Sequence, residues 1–468
     1  MLGVSSLPRS TPEAQDLSAA ALDAFVAALD ASEQEIHTLM LVRHGQVVLE
    51  EEWAPYRIQD PHLLFSISKS LTSMAIGLLI EDGKLSLDDK VVAFFGDDDL
   101  PDKLGDNLAA MEVRHLLTMT TGHAKDTVEA LGRDRRAIRI FLGLEVEHEP
   151  GTEFVYNTGA TYMLSAILQR ITGETLLDYL RPRLFEPLGA DEATWPLSKE
   201  GVTVGGWGLS ISTESLAKFS KLLLQRGEWD GKQLVPAAWI DEATKKQVPN
   251  DSEDNLDWKQ GYGFQFWRGR HNSYRGDGAF GQFCLVFPDH DATLVVTSAT
   301  PDMQAVLEVV WEHLLPALQG ESGSGTPRPP KLELLPLTGP GPRGNGRTYE
   351  FEPNHTGITA IKLAEDGVVT LTMVAGAEAE YLGATAGATM DIVCTPGDWH
   401  ELADVLQDPP QRLATSAYGD GDTIVATIRY LETPFVVTLR CRPEGDGLTV
   451  DIVFNVSFGP LRSTLTSK

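Results

Sequence analysis

Residues 61–85 read PHLLFSISKSLTSMAIGLLIEDGKL, an extended apolar run that leads directly into residues repeating at helical spacing. The repeat stops at Asp82-Gly83, a pair typical of a helix end. Its apolar residues are Leu71, Met74, Ala75, Leu78 and Leu79. The pattern predicts a buried helix from Ser66 to Glu81.

The start of this helix carries a Ser-x-x-Lys pair, Ser66 and Lys69. A serine at a helix N-terminus lies at the positive end of the helix dipole, beside free backbone N–H groups that suit a developing oxyanion. Lys69 follows three residues later and returns to the same helical face. Apolar neighbours would desolvate its amine and favour the neutral, basic form that a serine nucleophile needs. The pair predicts Ser66 as nucleophile and Lys69 as proton acceptor.

A second Ser-x-x-Lys match, Ser215 and Lys218, has a different setting. It follows Ser212 and Thr213, which are typical of a helix N-cap. We interpret this second pair as ordinary helix surface.

Four segments support the first pair, in consistent order along the chain. They are SISKSLTSMAIGLLIEDGKLSLDDKV at 66–91, VRHLLTMTTGH at 113–123, PGTEFVYNTGATYMLSAILQRITGETLLDYLRPRLFEPLG at 150–189 and GGWGLSISTESLAKFSKLLLQRGEW at 205–229. Together they resemble class C β-lactamases, DD-peptidases and family VIII carboxylesterases, over about residues 15–315. The resemblance implies an α+β fold of the β-lactamase/transpeptidase type, an antiparallel sheet flanked by helices with a helical lobe.

The same resemblance implies the rest of the catalytic site. Tyr156 takes the place of the catalytic tyrosine, which shares the proton transfer with Lys69, protonates the leaving group and later activates water. The backbone N–H groups of Ser66 and Ala279 form the oxyanion hole. The substrate carbonyl enters between Ser66 and the strand near Gly278.

The tyrosine motif departs from the family pattern, which usually ends in Asn. Here Thr158 takes that place, and Asn157 comes one residue earlier. Either residue could orient Lys69 or the substrate, and the sequence leaves the choice open.

The third motif departs further. The family has Lys or His, any residue and then Gly on a strand beside the pocket, whereas alignment through GAFGQF places Gly276, Asp277 and Gly278 there, with Arg275 just before. Asp277 and Gly278 are thus substrate-binding candidates, and the cation that would grip a β-lactam carboxylate is missing or shifted. This favours esters, amides or lactones. The glycines also match a dinucleotide fingerprint, but QFCLVFP, a strand pattern, follows instead of a helix, so nucleotide binding is rejected.

The chain is predicted to have two domains and a linker. Strand patterns at both ends of residues 1–318 surround a largely helical middle, which suits one antiparallel sheet with an inserted helical lobe. Residues 319–346 are rich in Gly, Pro and Ser and predict a linker. Residues 347–468 contain short β-branched runs and predict a C-terminal all-β domain, either a sandwich or a barrel of lipocalin-like form.

Composition restricts the partners and the location. The 38 basic and 67 acidic residues give a net charge of −29, which disfavours nucleic acid and membranes as partners. No apolar run of about 18 residues occurs and the N-terminus does not resemble a secretory signal, so a cytoplasmic location is expected. The scattered cysteines, Cys284, Cys394 and Cys441, are predicted to be buried in strands rather than in disulfides or a metal site.

The sequence therefore predicts a serine hydrolase that cleaves a small-molecule ester or amide through a Ser66 acyl-enzyme, without metal or organic cofactor. The enzymatic alternatives are a β-lactamase or D-amino-acid peptidase and a penicillin-binding-type thioesterase. A ligand-binding or sensor protein of the same fold that does not hydrolyse its ligand is the alternative of another class. A homo-oligomer is left open.

Overall fold

The structure is a computed structural model that describes residues 6–131, 136–251, 254–322, 327–373, 389–392, 396–403 and 411–468. The chain divides into two compact units. The first comprises Met1–Glu51, Pro61–Ser298 and Asp302–Pro330, and the second comprises Glu52–Asp60, Ala299–Pro301 and Lys331–Lys468. Residues 331–346, which the sequence analysis assigned to a linker, thus lie in the second unit.

The first unit contains ten strands among its described residues. They are β1 (Ile36–Arg43), β2 (Gln46–Glu52), β3 (Pro61–Leu63), β4 (Ser210–Ser212), β5 (Glu228–Trp229), β6 (Lys232–Gln233), β7 (Trp267–Arg268), β8 (Tyr274–Gly278), β9 (Gln282–Phe287) and β10 (Ala292–Ser298).

The helices of the first unit lie mainly between β2 and β7. They are α1 (Ala19–Ala31), α2 (Ser68–Glu81), α3 (Asp106–Ala110), α4 (Val113–Leu117), α5 (Val128–Leu131), α6 (Ala137–Gly143), α7 (Thr158–Thr172), α8 (Leu176–Leu180), α9 (Glu186–Leu188), α10 (Thr213–Leu224), α11 (Ala237–Thr244), α12 (Met303–Val309) and α13 (Leu315–Leu318).

The main sheet has the strand order β2-β1-β10-β9-β8-β7, and its pairs from β1 to β7 are antiparallel. Strands from both ends of the unit therefore meet in one sheet, which confirms the predicted arrangement around a helical middle. Every residue of β9 and β10 is buried, so both faces of the sheet are covered. This explains why these strands are continuously apolar rather than alternating.

Local features of the sequence set the first turn and helix of this unit. His44 and Gly45 both have positive φ, 47° and 74°, and join β1 to β2 as a two-residue hairpin turn. Helix α1 begins at Ala19, because the Ser18 side chain caps it by accepting a hydrogen bond from the Ala21 N–H.

The helical segment over residues 303–318, at the end of the first unit, is interrupted. After α12, residues Val310–Leu314 form a π-helical turn before α13. Pro316 lies in the first turn of α13 and has no N–H to donate to the preceding turn, which accounts for the wider turn before it.

The second Ser-x-x-Lys pair lies inside the protein rather than on its surface. Ser212 caps α10 as predicted, since its side chain accepts a hydrogen bond from the Ser215 N–H. Ser215 and Lys218 are both buried, so their interpretation as helix surface is wrong. The Ser215 hydroxyl donates to the carboxylate of Glu192 at 2.6 Å, a structural hydrogen bond that the sequence pattern does not show.

The second unit is all-β in its described strands. They are β11 (Thr348–Glu350), β12 (Ile358–Leu363), β13 (Val369–Met373), β14 (Thr389–Ile392), β15 (His400–Ala403), β16 (Arg412–Asp420), β17 (Thr423–Tyr430), β18 (Val436–Glu444), β19 (Gly447–Phe454) and β20 (Arg462–Thr466).

These strands form two antiparallel sheets, β11-β12-β13-β14 and β15-β16-β17-β18-β19-β20. In the described part of the chain the two sheets do not close into a barrel, so the barrel is not observed. One apolar core joins them, with Ile361 and Leu371 from the first sheet and Leu439 and Val450 from the second. Burial of apolar side chains between two sheets is the main source of stability in such a unit.

Cys284 in β9 and Cys441 in β18 are buried in strands, as predicted. Cys394 lies outside the described residues. No helix among the described residues has both the length and the apolar character needed to cross a membrane.

Candidate active site

Ser66 lies on a single 3₁₀ turn, Phe65–Ile67, that leads directly into α2. The predicted helix thus begins at Ser68, two residues later than the sequence pattern indicated. Phe65 has φ 47°, a left-handed conformation that costs about 1 kcal/mol or more for a residue with a side chain. Its ring packs edge-on against that of Phe280, with the centroids 5.6 Å apart, which helps to hold the strained turn. The turn leaves Ser66 partly exposed while its neighbours in α2 are buried.

Lys69 is buried, and its amine lies beside the Ser66 hydroxyl. Lys69 Nζ is 2.9 Å from Ser66 Oγ, 2.8 Å from the Gly206 carbonyl oxygen and 3.3 Å from Thr158 Oγ1. Burial lowers the pKa of Lys69 to about 7, opposed by the nearby Asp126. In the neutral form, its two N–H groups can donate to Gly206 and Thr158, leaving the nitrogen lone pair to accept the Ser66 proton.

Gly206 has to be a glycine for this contact. A Cβ at that position would lie 2.8 Å from Thr158 Cγ2 and 2.9 Å from the Thr158 carbonyl oxygen. The sequence motif GGWG at 205–208 contains this residue, but the pattern does not show that its carbonyl binds the lysine.

Tyr156 lies beside both residues. Its hydroxyl is close enough to Ser66 for that side chain to act on its pKa, and Lys69 Nζ is 4.8 Å from its ring centroid. Burial of the hydroxyl raises the pKa of Tyr156 well above its ordinary value of 10. The phenol is therefore protonated at neutral pH and can act as a proton donor.

The structure separates the roles of Asn157 and Thr158. Asn157 caps α7, where its Oδ1 accepts hydrogen bonds from the N–H of Ala160 and from both the N–H and the hydroxyl of Thr127. Thr158 instead points its hydroxyl at Lys69. Its N–H donates to Asp126 Oδ1 at 2.8 Å, which brings in a carboxylate that sequence reasoning missed.

Strand β8 runs close to the serine turn. A Cβ on Gly278 would lie 2.1 Å from the Leu64 carbonyl oxygen, so only glycine allows this approach. Ala279 is the first residue after β8, in a turn closed by a hydrogen bond from the Gly281 N–H to the Gly278 carbonyl. The structure thus brings Gly278 and Ala279 to the same end of the sheet as the turn before Ser66.

The third motif contains a buried ion pair where the family has a cation. Arg275 Nε donates to Asp277 Oδ2 at 3.0 Å, and Arg275 Nη1 donates to the Asp257 carbonyl at 3.1 Å. The Arg275 side chain is only 1% exposed, and its guanidinium lies 4.6 Å from the ring centroid of Trp258. Burial raises the pKa of Asp277, while Arg275 acts to lower it. The arginine is therefore engaged inside the protein and is not presented to a ligand.

Among the described residues, no three His, Cys, Asp or Glu side chains cluster as a metal site would require. The site consists of a serine, an amine and a phenol in mutual contact, with the N-terminus of α2 beneath them. This set can transfer an acyl group by nucleophilic attack and proton shuttling.

Comparisons with known proteins agree with this chemistry. The family model described as Beta-lactamase matches residues 22–318. The 6-aminohexanoate-dimer hydrolase of Paenarthrobacter ureafaciens is 25% identical over 333 residues, which are 64% of this chain and 83% of that protein. Lovastatin esterase of Penicillium rubens is 28% identical over 181 residues, 33% of this chain and 45% of that protein.

A solved structure extends the similarity in fold to both units. The octameric penicillin-binding protein homologue from Pyrococcus abyssi matches with a TM-score of 0.53 and 17% identity, covering 94% of this chain and 97% of that one. At this identity the match concerns the fold alone.

Proposed function

The chain belongs to the beta-lactamase family and is a serine hydrolase, and from this premise we propose that it cleaves neutral small-molecule esters or amides through an acyl-enzyme on Ser66. The observation that carries the proposal is the 2.9 Å contact of Lys69 Nζ with Ser66 Oγ, in a setting that lowers the pKa of the lysine to about 7. A base with a pKa near the working pH is the most effective proton acceptor. The names of the two relatives, an amide hydrolase and an esterase, support the same reaction class.

In the proposed acylation step, Ser66 Oγ attacks the carbonyl carbon and its proton passes to the neutral amine of Lys69. The backbone N–H groups of Ser66 and Ala279 would hold the oxyanion. Tyr156 then donates its proton to the leaving oxygen or nitrogen as the bond to the carbonyl carbon breaks. The Lys69 ammonium returns a proton to the Tyr156 phenolate, so both groups regain their starting states.

In deacylation, water attacks the ester formed on Ser66. Its proton passes to the pair formed by Lys69 and Tyr156, and the acyl–Oγ bond breaks with return of a proton to Ser66 Oγ. One water molecule is consumed for each ester or amide bond cleaved.

The direct test is to trap the acyl-enzyme. The protein is mixed with a p-nitrophenyl ester and quenched in acid, and the acylated peptide is identified by mass spectrometry. An adduct on the peptide that contains Ser66 supports the proposal. An adduct on the peptide that contains Ser215, or turnover with no adduct on any serine under rapid quench, would contradict it.

The buried ion pair at the third motif predicts a preference for substrates with an uncharged acyl group. Because Arg275 is paired with Asp277 inside the protein, a substrate carboxylate would gain no ion pair there. It would also meet the negative field of Asp126. We expect kcat/KM for p-nitrophenyl hexanoate to exceed that for the p-nitrophenyl monoester of adipic acid by about tenfold or more. The two acyl chains have the same length, so spectrophotometric assay of the released phenol isolates the charge.

A preference for the adipate ester would contradict this expectation and favour the β-lactamase or D-amino-acid peptidase alternatives. The ratio measured at high salt provides a control. Screening should reduce a preference that has an electrostatic origin and leave a steric preference unchanged.

The separate positions of Thr158 and Asn157 predict different effects of their replacement. Thr158→Val removes a hydrogen-bond acceptor from Lys69 and should lower kcat/KM about tenfold with little change in stability. Asn157→Ala removes the cap of α7 and should lower the free energy of unfolding by about 1–2 kcal/mol. Its kcat/KM per folded molecule should change less than about threefold. Ester hydrolysis and urea unfolding of both variants measure these effects, and a folded but inactive Asn157→Ala would assign the family's asparagine role to Asn157.

Location and assembly stay predictions. A cytoplasmic location is the expectation from the sequence. The octamer is a property of the Pyrococcus abyssi protein, and a homo-oligomer of this chain is tested by light scattering at several protein concentrations.

A further inference from the structure

Tyr156 is held by an aromatic neighbour that no motif indicated. The ring of Trp267, on β7, stacks on that of Tyr156 with the centroids 5.4 Å apart and the planes 14° from parallel. Tyr262 packs edge-on against Trp267 at 4.8 Å, and Phe154 packs on the same indole at 5.8 Å. Trp267 is 6% exposed, so its orientation is fixed by the protein rather than by solvent.

The indole of Trp267 is tied in turn to the third motif. Trp267 and Arg275 are directly opposite each other across β7 and β8. The Asp277 carboxylate accepts a hydrogen bond from Arg275 Nε at 3.0 Å, and the side chains of Trp267 and Trp258 lie close enough to it to lower its pKa. Arg275 is anchored by the Asp257 carbonyl.

A buried carboxylate that is paired with a guanidinium and lies beside two indole rings is held in one orientation. The Trp267 ring neighbours this carboxylate and stacks on the ring of Tyr156. A tyrosine side chain has two rotatable torsions, and contact with a fixed ring plane restricts both. The direction of the Tyr156 hydroxyl thus depends on groups that do not themselves contact Ser66 in this arrangement.

We propose that Asp277 and Trp267 are positioning residues for Tyr156, which they hold with its hydroxyl directed at the leaving group. This inference rests on the proposed function. In this chain the third motif would then orient the proton donor Tyr156, through Asp277, instead of binding an anionic group of the substrate. Displacement of a catalytic group by about 1 Å can cost as much as about 100-fold in rate.

A pair of tryptophan variants tests the inference. Trp267→Phe and Trp258→Phe each remove one indole N–H from the surroundings of Asp277. Trp267 stacks on Tyr156, whereas Trp258 packs against the Arg275 guanidinium. The substrates are the p-nitrophenyl and ethyl esters of the same short acyl group. Protonation by Tyr156 matters for ethoxide, a poor leaving group, and much less for p-nitrophenoxide. The quantity to measure is kcat/KM, because it reports the acylation step in which the leaving group departs.

We expect Trp267→Phe to lower kcat/KM about tenfold for the ethyl ester and less than about threefold for the p-nitrophenyl ester. Trp258→Phe should change both by less than about threefold. Tyr156→Phe gives the reference, with a still larger loss on the ethyl ester. A general loss of structure would lower kcat/KM for both esters by the same factor. The ratio of the two kcat/KM values therefore distinguishes a positioning effect from a folding effect.

Several outcomes would overturn the inference. Equal losses on the two esters in Trp267→Phe would do so, as would identical behaviour of Trp267→Phe and Trp258→Phe. Asp277→Asn is the second variant, and it should reproduce the leaving-group pattern of Trp267→Phe if it folds. If the wild-type protein forms a Ser66 adduct, but the ratio of kcat/KM for the two esters is unchanged in both Trp267→Phe and Asp277→Asn, the positioning role is refuted. The proposed function would still stand. Wild-type protein that forms no adduct refutes both.

Discussion

Replacing Ser66 with alanine is expected to lower turnover of a p-nitrophenyl ester by at least about 10⁴-fold and to abolish the acyl adduct. Ser66 Oγ is the hydroxyl that Lys69 Nζ approaches at 2.9 Å and that lies beside the Tyr156 phenol. Without the oxygen no covalent intermediate can form, and what is left is binding and oxyanion stabilisation acting on water. Initial rates at saturating ester and intact mass after rapid quench measure the two effects together.

The second Ser-x-x-Lys pair provides the matched control. Ser215→Ala removes a hydroxyl from the same short motif, but from one that donates to Glu192 within the core. It should retain turnover within about twofold and lose about 1 kcal/mol of stability. If instead Ser66→Ala hydrolyses the ester at the wild-type rate, the nucleophile is elsewhere and the ligand-binding alternative applies to the Ser66 site.

The sequence predicts the main sheet and the helix after Ser66 because both have strong local signals. Continuous apolar runs produce the buried strands β9 and β10, and apolar residues at helical spacing produce the buried helix α2. The order of the four segments then places Ser66, Lys69 and Tyr156 in one site, although they are up to 90 residues apart in the chain.

The side-chain network around the site could not be predicted in the same way. Whether Asn157 or Thr158 faces Lys69 depends on which of them caps α7. The capping side chain, Asn157, also accepts a hydrogen bond from Thr127, which lies 30 residues earlier in the chain. The partner of Arg275 depends on strand geometry, which brings the side chains at i and i+2 to the same face. Trp267 carries no motif at all. Its contact with Tyr156 arises only from the tertiary fold.

Lys69→Met is expected to lower turnover by about 10³-fold or more while making the protein more stable. The methionine keeps most of the volume of the buried side chain but cannot accept the Ser66 proton. It also removes a group whose charged form is poorly solvated, since burial lowers the pKa of Lys69 from 10.5 to about 7. A shift of this size corresponds to a few kcal/mol of lost stability when the amine is protonated.

The pH dependence of stability then distinguishes this cause from a simple packing effect. Between about pH 7 and 10.5 the unfolded chain holds a proton on Lys69 that the folded chain does not, so wild-type stability rises with pH through this window on account of Lys69. Below about pH 7 both states are protonated, and the full cost of burying the charge is present.

The free energy of unfolding of Lys69→Met should therefore exceed that of the wild type most below pH 7, and the difference should diminish towards pH 10. Below pH 7 we expect a difference of about 1–3 kcal/mol, which allows for the loss of the hydrogen bonds to Thr158 and Gly206. Urea unfolding at pH 6, 8 and 10 measures it. Ser66→Ala serves as the reference, because it also lacks activity but retains the lysine. Wild-type kcat/KM should rise in parallel as pH increases through about 7, since only the neutral amine accepts the serine proton. A gain in stability that does not vary with pH would mean that the pKa of Lys69 is the same in the folded and unfolded states. The amine would then stay protonated at neutral pH and lose its place as the base in the proposed mechanism.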